Sequence, residues 1–306
     1  MNATQSKAFA IAVSVVAGGF MAVQARVNAG LGASLENGML AALISFSSGL
    51  VIVGLFVAAS KKQRGSLSQF VRKLWVGELP LWSISGGLLG GFFVITQGVV
   101  AGVIGIALFA VSVVTGQALA ALLIDGRGLF GLARRHLGSA RLLGTLLAIV
   151  GLVVTGEFTN YSFEPVLLLP FFAGIGIGFQ QALNGNLGRQ TGSPIVATFI
   201  NFILGTAFIA IAILVFRGGF EFSGALPTNP IFYIGGFVGV IFIFVQVVLV
   251  PRIGTLAMGV SLLVGQLVSS LALDLFAPIA LREVTSYTLA GVLLALIGAS
   301  LVASRR

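Results

Sequence analysis

Residues 24–49 read QARVNAGLGASLENGMLAALISFSSG, and residues 180–205 read QQALNGNLGRQTGSPIVATFINFILG. Laid over one another, Gln24, Asn28, Leu31, Gly32, Ala41, Ile44, Phe46 and Gly49 fall on Gln180, Asn184, Leu187, Gly188, Ala197, Ile200, Phe202 and Gly205, at a constant offset of 156. The likeness continues downstream. Gly86, Gly87, Gly90, Gln97, Gly105, Val111, Ser112, Gly116, Gln117 and Asp125 recur at an offset of 149 as Gly235, Gly236, Gly239, Gln246, Gly254, Val260, Ser261, Gly265, Gln266 and Asp274. Gly144 and Gly151 then match Gly291 and Gly298 at 147. The offset changes only between apolar runs, which is the mark of an internal duplication.

The runs themselves are membrane-like. Hydrophobic residues make up 58% of the 306 and charged residues 8%, with a mean hydropathy of +1.11, too little polar surface to cover a soluble globule of this length. Glycine is abundant at 42 residues. Lipid supplies no hydrophobic force between helices, and small residues such as the overlapping GxxxG pairs of Gly86, Gly87, Gly90 and Gly91 let backbones approach instead. The net charge of +9 lies mostly in loops beside apolar spans, so membrane topology explains it better than nucleic-acid binding does. The first apolar stretch begins at Ala8 with no small-residue cleavage site before Gln24 and is expected to be a retained helix.

A spanning helix needs about 20 apolar residues, which places spans near 8–27, 38–59, 79–101, 103–124, 140–156, 165–185, 194–216, 230–250, 254–275 and 287–303. The expected fold class is therefore an all-α membrane protein of ten transmembrane helices, with five-helix units at 1–157 and 158–306. An odd number of spans per unit makes the second unit enter the bilayer from the opposite side, a 5+5 inverted-topology repeat. With both termini in the cytoplasm, the inside receives Lys7, Lys61, Lys62, Arg64, Arg72, Lys73, Arg127, Arg134, Arg135, Arg141, Arg189, Arg252, Arg305 and Arg306. Only Arg26, Arg217 and Arg282 stay outside, where Glu36, Glu157, Glu164, Glu221, Asp274 and Glu283 also fall. That asymmetry sets the orientation in a cytoplasmic (inner) membrane.

Gln180, Asn184, Leu187, Gly188, Gly192, Ser193 and Pro194, followed by Ala197, Asn201, Phe202 and Gly205, resemble the signature of the YdcZ-like family of the drug/metabolite transporter superfamily. Leu79, Pro80 and Trp82 with Gly86 and Gly87, then Gly116, Gln117 and Asp125, resemble it too. The resemblance covers nearly the whole chain, once per half. It implies a fused, internally duplicated ten-helix carrier for small metabolites or amphipathic compounds, often in the export direction. The first half departs from the pattern: Glu36, Asn37 and Gly38 replace the Gly-Ser-Pro turn, and Ser45 stands where Asn201 stands.

Polar groups within the bilayer are costly unless satisfied, so the few present are the candidate site. Gln24 and Asn28 share one helix face and Gln180 and Asn184 another; each pair is either a substrate contact or a clasp between helices. Gln117, Gln266 and Asn201 are further substrate-binding candidates, whereas Gln97 and Gln246 look structural. Arg26 is either an inward gate or a side chain reaching the outer interface. Asp125 and Asp274, at helix ends, are either solvated charges or gate and coupling sites. Phe92, Phe93, Phe109, Phe179, Phe242 and Phe244 lie near candidate cavity faces.

Enzyme chemistry finds no support. Cysteine is absent and His136 is the only histidine, so neither a catalytic triad nor a metal cluster can be assembled, and no cofactor is expected. Gly174, Gly176 and Gly178 have no preceding strand and read as packing glycines rather than a nucleotide loop. The expectation is a secondary transporter with a small-molecule substrate, lipid as solvent and a monomeric or homodimeric state. The alternative is a non-transporting membrane scaffold or a protein that binds or translocates lipid.

Overall fold

The computed structural model describes residues 3–129, 138–157, 168–277 and 284–303, without the side chains of residues 3–7, 125, 157, 254–257, 302 and 303. His136, Arg134, Arg135, Glu164, Arg282, Glu283, Arg305 and Arg306 lie outside the described residues, as do the side chains of Lys7, Asp125 and Glu157.

Among the described residues the secondary structure is entirely helical. The helices are α1 (Ala3–Leu35), α2 (Gly38–Ala59), α3 (Lys61–Trp75), α4 (Gly86–Thr96), α5 (Gly102–Ile104), α6 (Ile106–Arg127), α7 (Ser139–Glu157), α8 (Leu169–Thr191), α9 (Pro194–Arg217), α10 (Gly235–Phe276) and α11 (Ser286–Ala303). A 3₁₀ turn precedes α4 at Leu81–Ile84, another precedes α10 at Pro230–Tyr233, and a π-helical turn, Gln97–Ala101, joins α4 to α5. Among the described residues, eight helical stretches are long and apolar enough to cross a membrane: Ala8–Leu35, Gly38–Ala59, Leu81–Ile104, Ile106–Ile124, Ser139–Gly156, Pro194–Arg217, Gly235–Ile253 and Met258–Phe276. Ser286–Leu301 is apolar but shorter. The 23-residue α8 carries Gln180, Gln181, Asn184, Asn186, Arg189 and Gln190 and is correspondingly less apolar.

Local chemistry sets the corners. Asn37 caps α2 by accepting from Leu40 N at 3.0 Å, and at the same repeat position Ser193 caps α9 by accepting from Val196 N at 3.2 Å, with Pro194 preorganised in the first turn. The residue before each cap is left-handed, Gly192 at φ 63° and Glu36 at φ 52°. Glycine adopts that region freely, whereas a side chain crowds the backbone there.

Two sequence expectations change. The first helix was expected to end near residue 27 but continues to Leu35, which moves Arg26 from the helix end into its body. A connector was expected at Pro251–Gly254, and the chain does reverse there, but its backbone is helical through the turn, from Gly235 to Phe276. Those 42 residues would extend about 63 Å if straight, twice the ~30 Å hydrocarbon layer. Contacts show how they fit. Gly235 and Gly239 lie against Asn28 and Gln24, antiparallel to α1, while Met258, Leu262 and Ser269 lie against Ser14, Gly18 and Gly19, parallel to it. The run therefore folds back on itself in the stretch containing Pro251, where a backbone donor is missing. The first half turns at the matching place, but through a clean break at Gly105, with φ 85°. There Gly86 and Gly90 lie against Asn184 and Gln180, antiparallel to α8, and Val113 and Ala120 lie against Gly174 and Gly178, parallel to it.

Each half thus lends its first long helix to the other half's hairpin. A Cβ at Gly18 would strike the Leu262 carbonyl, and one at Gly174 would strike the matching Val113 carbonyl. Backbone contact this close replaces the side-chain burial that drives packing in water. α7 and α11 pack on each other at Gly151 and Gly291, and again at Gly144 and Gly298.

Candidate functional site

The polar residues of the repeat form two matching clusters. Gln24 Nε2 donates to Gly235 O at 2.9 Å, and Gln180 Nε2 donates to Gly86 O at 2.9 Å. Asn28 Nδ2 donates to Gln97 Oε1 at 2.8 Å, and Asn184 Nδ2 donates to Gln246 Oε1 at 2.9 Å. All six amides are buried. Five of them leave the other end without a hydrogen bond: Asn28 Oδ1, Asn184 Oδ1, Gln97 Nε2, Gln246 Nε2 and Gln180 Oε1. In each cluster two such oxygens face a glycine Cα, Asn28 Oδ1 with Ser45 Oγ at Gly235, and Asn184 Oδ1 with Asn201 Oδ1 at Gly86. Only a residue without a Cβ lets the helix start come that near.

The clusters stand at opposite ends of α4 and of the first part of α10. From Gly86 to Gln97, and from Gly235 to Gln246, the helix advances about 16 Å at ~1.5 Å per residue. Midway lies a cavity of ≈ 10 Å³, roughly the space of one water. Its lining is paired across the repeat: Gln24 with Gln180, Phe46 with Phe202, Gly90 with Gly239, Phe93 with Phe242 and Val94 with Ile243, plus Ile177. The Phe46 and Phe202 rings meet at 4.9 Å between centroids and 43° between planes. This lining contains no ionised group.

Beyond the clusters the two ends are packed differently. At the Asn184 end, Gly188, Arg189, Gly192, Pro194, Val247, Val248, Pro251 and Arg252 line a shallow vestibule of ≈ 300 Å³ on the surface, beneath which the Val247 side chain packs onto Gly188. At the Asn28 end the residues matching Gly188, Pro194 and Val247 are Gly32, Gly38 and Gly98, and they are in backbone contact. A Cβ at Gly32 would lie 2.6 Å from Gly98 O, and Cβ atoms at Gly38 or Gly98 would strike each other's backbone. The connector after α9 covers this end, with Gly224 N and Ala225 N donating to Leu35 O and Ser34 O at 3.4 and 2.9 Å and Asn37 Nδ2 donating to Glu221 O at 2.9 Å.

The remaining candidates sit apart from the central cavity. Gln117 and Gln266 are buried but do not line it. Gln117 Oε1 accepts from Gln181 Nε2 at 3.1 Å, while Gln117 Nε2 and Gln266 Oε1 are unpartnered. Arg26 is half-buried and, two residues from both Gln24 and Asn28, projects from the opposite side of α1. Asp274 caps the broken helix of the other half: its Oδ1 and Oδ2 accept from Ile106 N at 3.1 Å and Ala107 N at 2.7 Å. A carboxylate at a helix N-terminus satisfies orphan donors and the positive end of the dipole. The Asp125 side chain lies outside the described residues. Of the expected phenylalanines, Phe93 and Phe242 reach the cavity, Phe109 stacks behind Phe93 at 6.0 Å, and Phe244 is 40% exposed on the outer surface. Phe46, Phe202 and the three contacting glycines are the residues that sequence reasoning passed over. Recurrence of Phe46 as Phe202, alone among the repeat's aromatic residues in the opening alignment, was the available signal.

The sequence matches the family described as "Putative inner membrane exporter, YdcZ" over residues 9–154 and again over 165–301. The chain belongs to the YdcZ family. The two matched segments agree with a duplicated form, and YdcZ membership makes this a multi-pass inner-membrane protein whose class of activity is transport rather than catalysis. No curated protein matches its sequence. A solved structure described as "Crystal structure of protein" superposes with a TM-score of 0.58 at 16% identity, over 97% of this chain and 96% of the other. At that identity the likeness concerns the fold alone.

Proposed function

We propose that this YdcZ-family protein is a ten-span carrier built as a 5+5 inverted repeat, with units 1–157 and 158–306 and both termini cytoplasmic. It moves a small organic solute outward by alternating access. The observation that carries this reading is the unequal packing of matching residues: Gly32, Gly38 and Gly98 meet backbone to backbone, while Gly188, Pro194 and Val247 border a shallow vestibule and are held apart by the Val247 side chain. A symmetric scaffold with one end closed is what an alternating carrier looks like in one of its states. Arg189 and Arg252 support a cytoplasmic position for the vestibule end by the positive-inside rule.

The solute passes from one amide cluster to the other through the phenylalanine-lined centre. Gln24, Asn28, Gln180, Asn184 and Asn201 contact it, and each spare amide end offers a hydrogen bond that the protein itself does not use. Gln117 and Gln266 act more distantly, on the packing of α6 and α10. Since the cavity lining is uncharged, an uncharged or zwitterionic solute with an apolar or aromatic part suits it best. Asp274 is engaged in capping α6, which favours facilitated diffusion over proton exchange at that carboxylate. Arg26 does not gate the path.

The chain has no cysteine, so single cysteines report access cleanly. Val248 in the vestibule and Ala101, fully buried just beyond Gly98 at the other end, are the test pair. In inside-out and right-side-out vesicles, Val248→Cys should react with a membrane-impermeant thiol reagent from the cytoplasmic face and Ala101→Cys should be protected. Proteoliposomes loaded with a metabolite extract should then show saturable efflux of at least one uncharged solute. Equal labelling of both cysteines from both faces, or no saturable efflux from the extract, would sink the carrier reading and favour a membrane scaffold.

A further inference from the structure

The connector between α2 and α4 is itself a helix, and only part of its surface belongs to the protein. On α3, Gln63, Leu67, Phe70 and Leu74 recur at helical spacing and face inward, with Phe70 2% exposed. Ser60 caps its start by accepting from Gln63 N at 3.4 Å, and Arg64 Nη1 donates to Ala58 O at the end of α2. Beside this inward face runs an exposed apolar strip. Val71 is 51% exposed and Trp75, one turn on, 90% exposed. Farther round lie Lys61, Lys62, Arg72 and Lys73, all exposed, and residues 61–75 contain no acid.

We propose that α3 is a docking surface for anionic phospholipid. Val71 and Trp75 sit at the headgroup–acyl boundary of the leaflet on the vestibule side, and Lys61, Lys62, Arg72 and Lys73 hold phosphate headgroups. An indole with one apolar and one polar edge partitions to that boundary, and a basic face on an amphipathic helix is drawn to anionic lipid. Charge complementarity selects lipid over a second copy of this chain, because two copies of the strip would bring the same basic residues together. The matching connector at the sealed end forms no helix between Gly218 and Asn229 and carries one acid, Glu221, and no base, so the recognition belongs to one leaflet.

The docked helix also touches the gate. Ser193 Oγ donates to Gln63 Oε1, and Ser193 lies between Gly192 and Pro194 of the vestibule wall. Lipid held on α3 thereby steadies the rim of the open end.

The chain has two tryptophans, so Trp82→Phe leaves Trp75 as the only indole. This variant would be reconstituted in vesicles of phosphatidylcholine and phosphatidylglycerol in which one lipid or the other carries brominated acyl chains. Brominated phosphatidylglycerol should quench Trp75 about twofold more than brominated phosphatidylcholine at equal mole fraction in low salt, a preference that falls as salt rises. Adding Lys61→Gln, Lys62→Gln, Arg72→Gln and Lys73→Gln should abolish the preference and leave quenching itself in place. The reciprocal Trp75→Phe protein, reporting from Trp82, should show no preference. Equal quenching by both lipids would overturn headgroup selection. Quenching by aqueous iodide in place of bromine would overturn membrane docking, and shielding from both would assign the strip to a protein partner.

Discussion

The two ends of the central path are built from matching residues and differ in how near their backbones can come. At the Asn28 end three glycines, Gly32, Gly38 and Gly98, meet backbone to backbone, and the connector at Glu221–Ala225 lies over them. At the Asn184 end only Gly188 of the three is still glycine, the Val247 side chain packs onto it, and with Pro194 these residues border a shallow vestibule of ≈ 300 Å³. The amide clusters behind both ends share their bonding pattern to within 0.1 Å in donor–acceptor distance. The bonding of the amide clusters is therefore symmetric and the packing of the two ends is not. A duplicated chain can keep its binding chemistry while two substitutions, glycine to proline and glycine to valine, make one end the tighter seal.

The sharpest way to break this comparison is Gly98→Val, which gives the sealed end the residue that the open end carries. It should cut efflux by roughly tenfold or more, equivalent to about 1.4 kcal/mol of barrier, whereas Val247→Gly should leave transport within about threefold of the parent protein. Efflux from proteoliposomes decides it, and normal flux through the Gly98 variant would remove the seal from the mechanism. Next in size are Gln24→Ala and Gln180→Ala. Each removes one matching amide and should reduce efflux by about fivefold to tenfold, the worth of one hydrogen bond of about 1 kcal/mol or slightly more. A clear difference between them in flux assays would show that the clusters are not equivalent. Asp274→Asn tests the other contrast, a helix break capped by a carboxylate. Loss of the charge should lower stability by about 1 kcal/mol, read as a melting point a few degrees lower in detergent, with little effect on flux. The smallest effect belongs to the turn before α2. Glu36→Gly should relieve the left-handed strain and stabilise by about 0.5–1 kcal/mol, while Gly192→Ala should destabilise by a similar amount, measured in the same thermal scans.

Much of the fold was legible because membrane spans are written in composition and because repetition checks each assignment twice. Gln24 and Asn28 were identifiable as facing inward by their four-residue spacing and by their recurrence as Gln180 and Asn184. Their partners were not. Gln97 and Gln246 look like residues near helix ends in one dimension, and only the antiparallel course of α4 and α10 carries them back to Asn28 and Asn184. Gln117 and Gln266 looked central because they sit mid-helix, yet α6 and the second part of α10 lie outside the phenylalanine cavity. Arg26 seemed to flank the path because α1 was expected to stop before it reached Leu35.

Sequence by itself determined that this chain lives in lipid, that it is one unit written twice, and that its inward-facing chemistry consists of amides. These follow from residue type and spacing, which act locally. Tertiary structure alone decided that each half's first helix serves the other half's hairpin, that Phe46 meets Phe202 between the clusters, and that Gly32, Gly38 and Gly98 close one end. Those facts depend on which backbones come within contact distance. That distance is set by packing between segments as far apart in sequence as Gly38 and Gly98, or Gln24 and Gly235, and no local pattern encodes it.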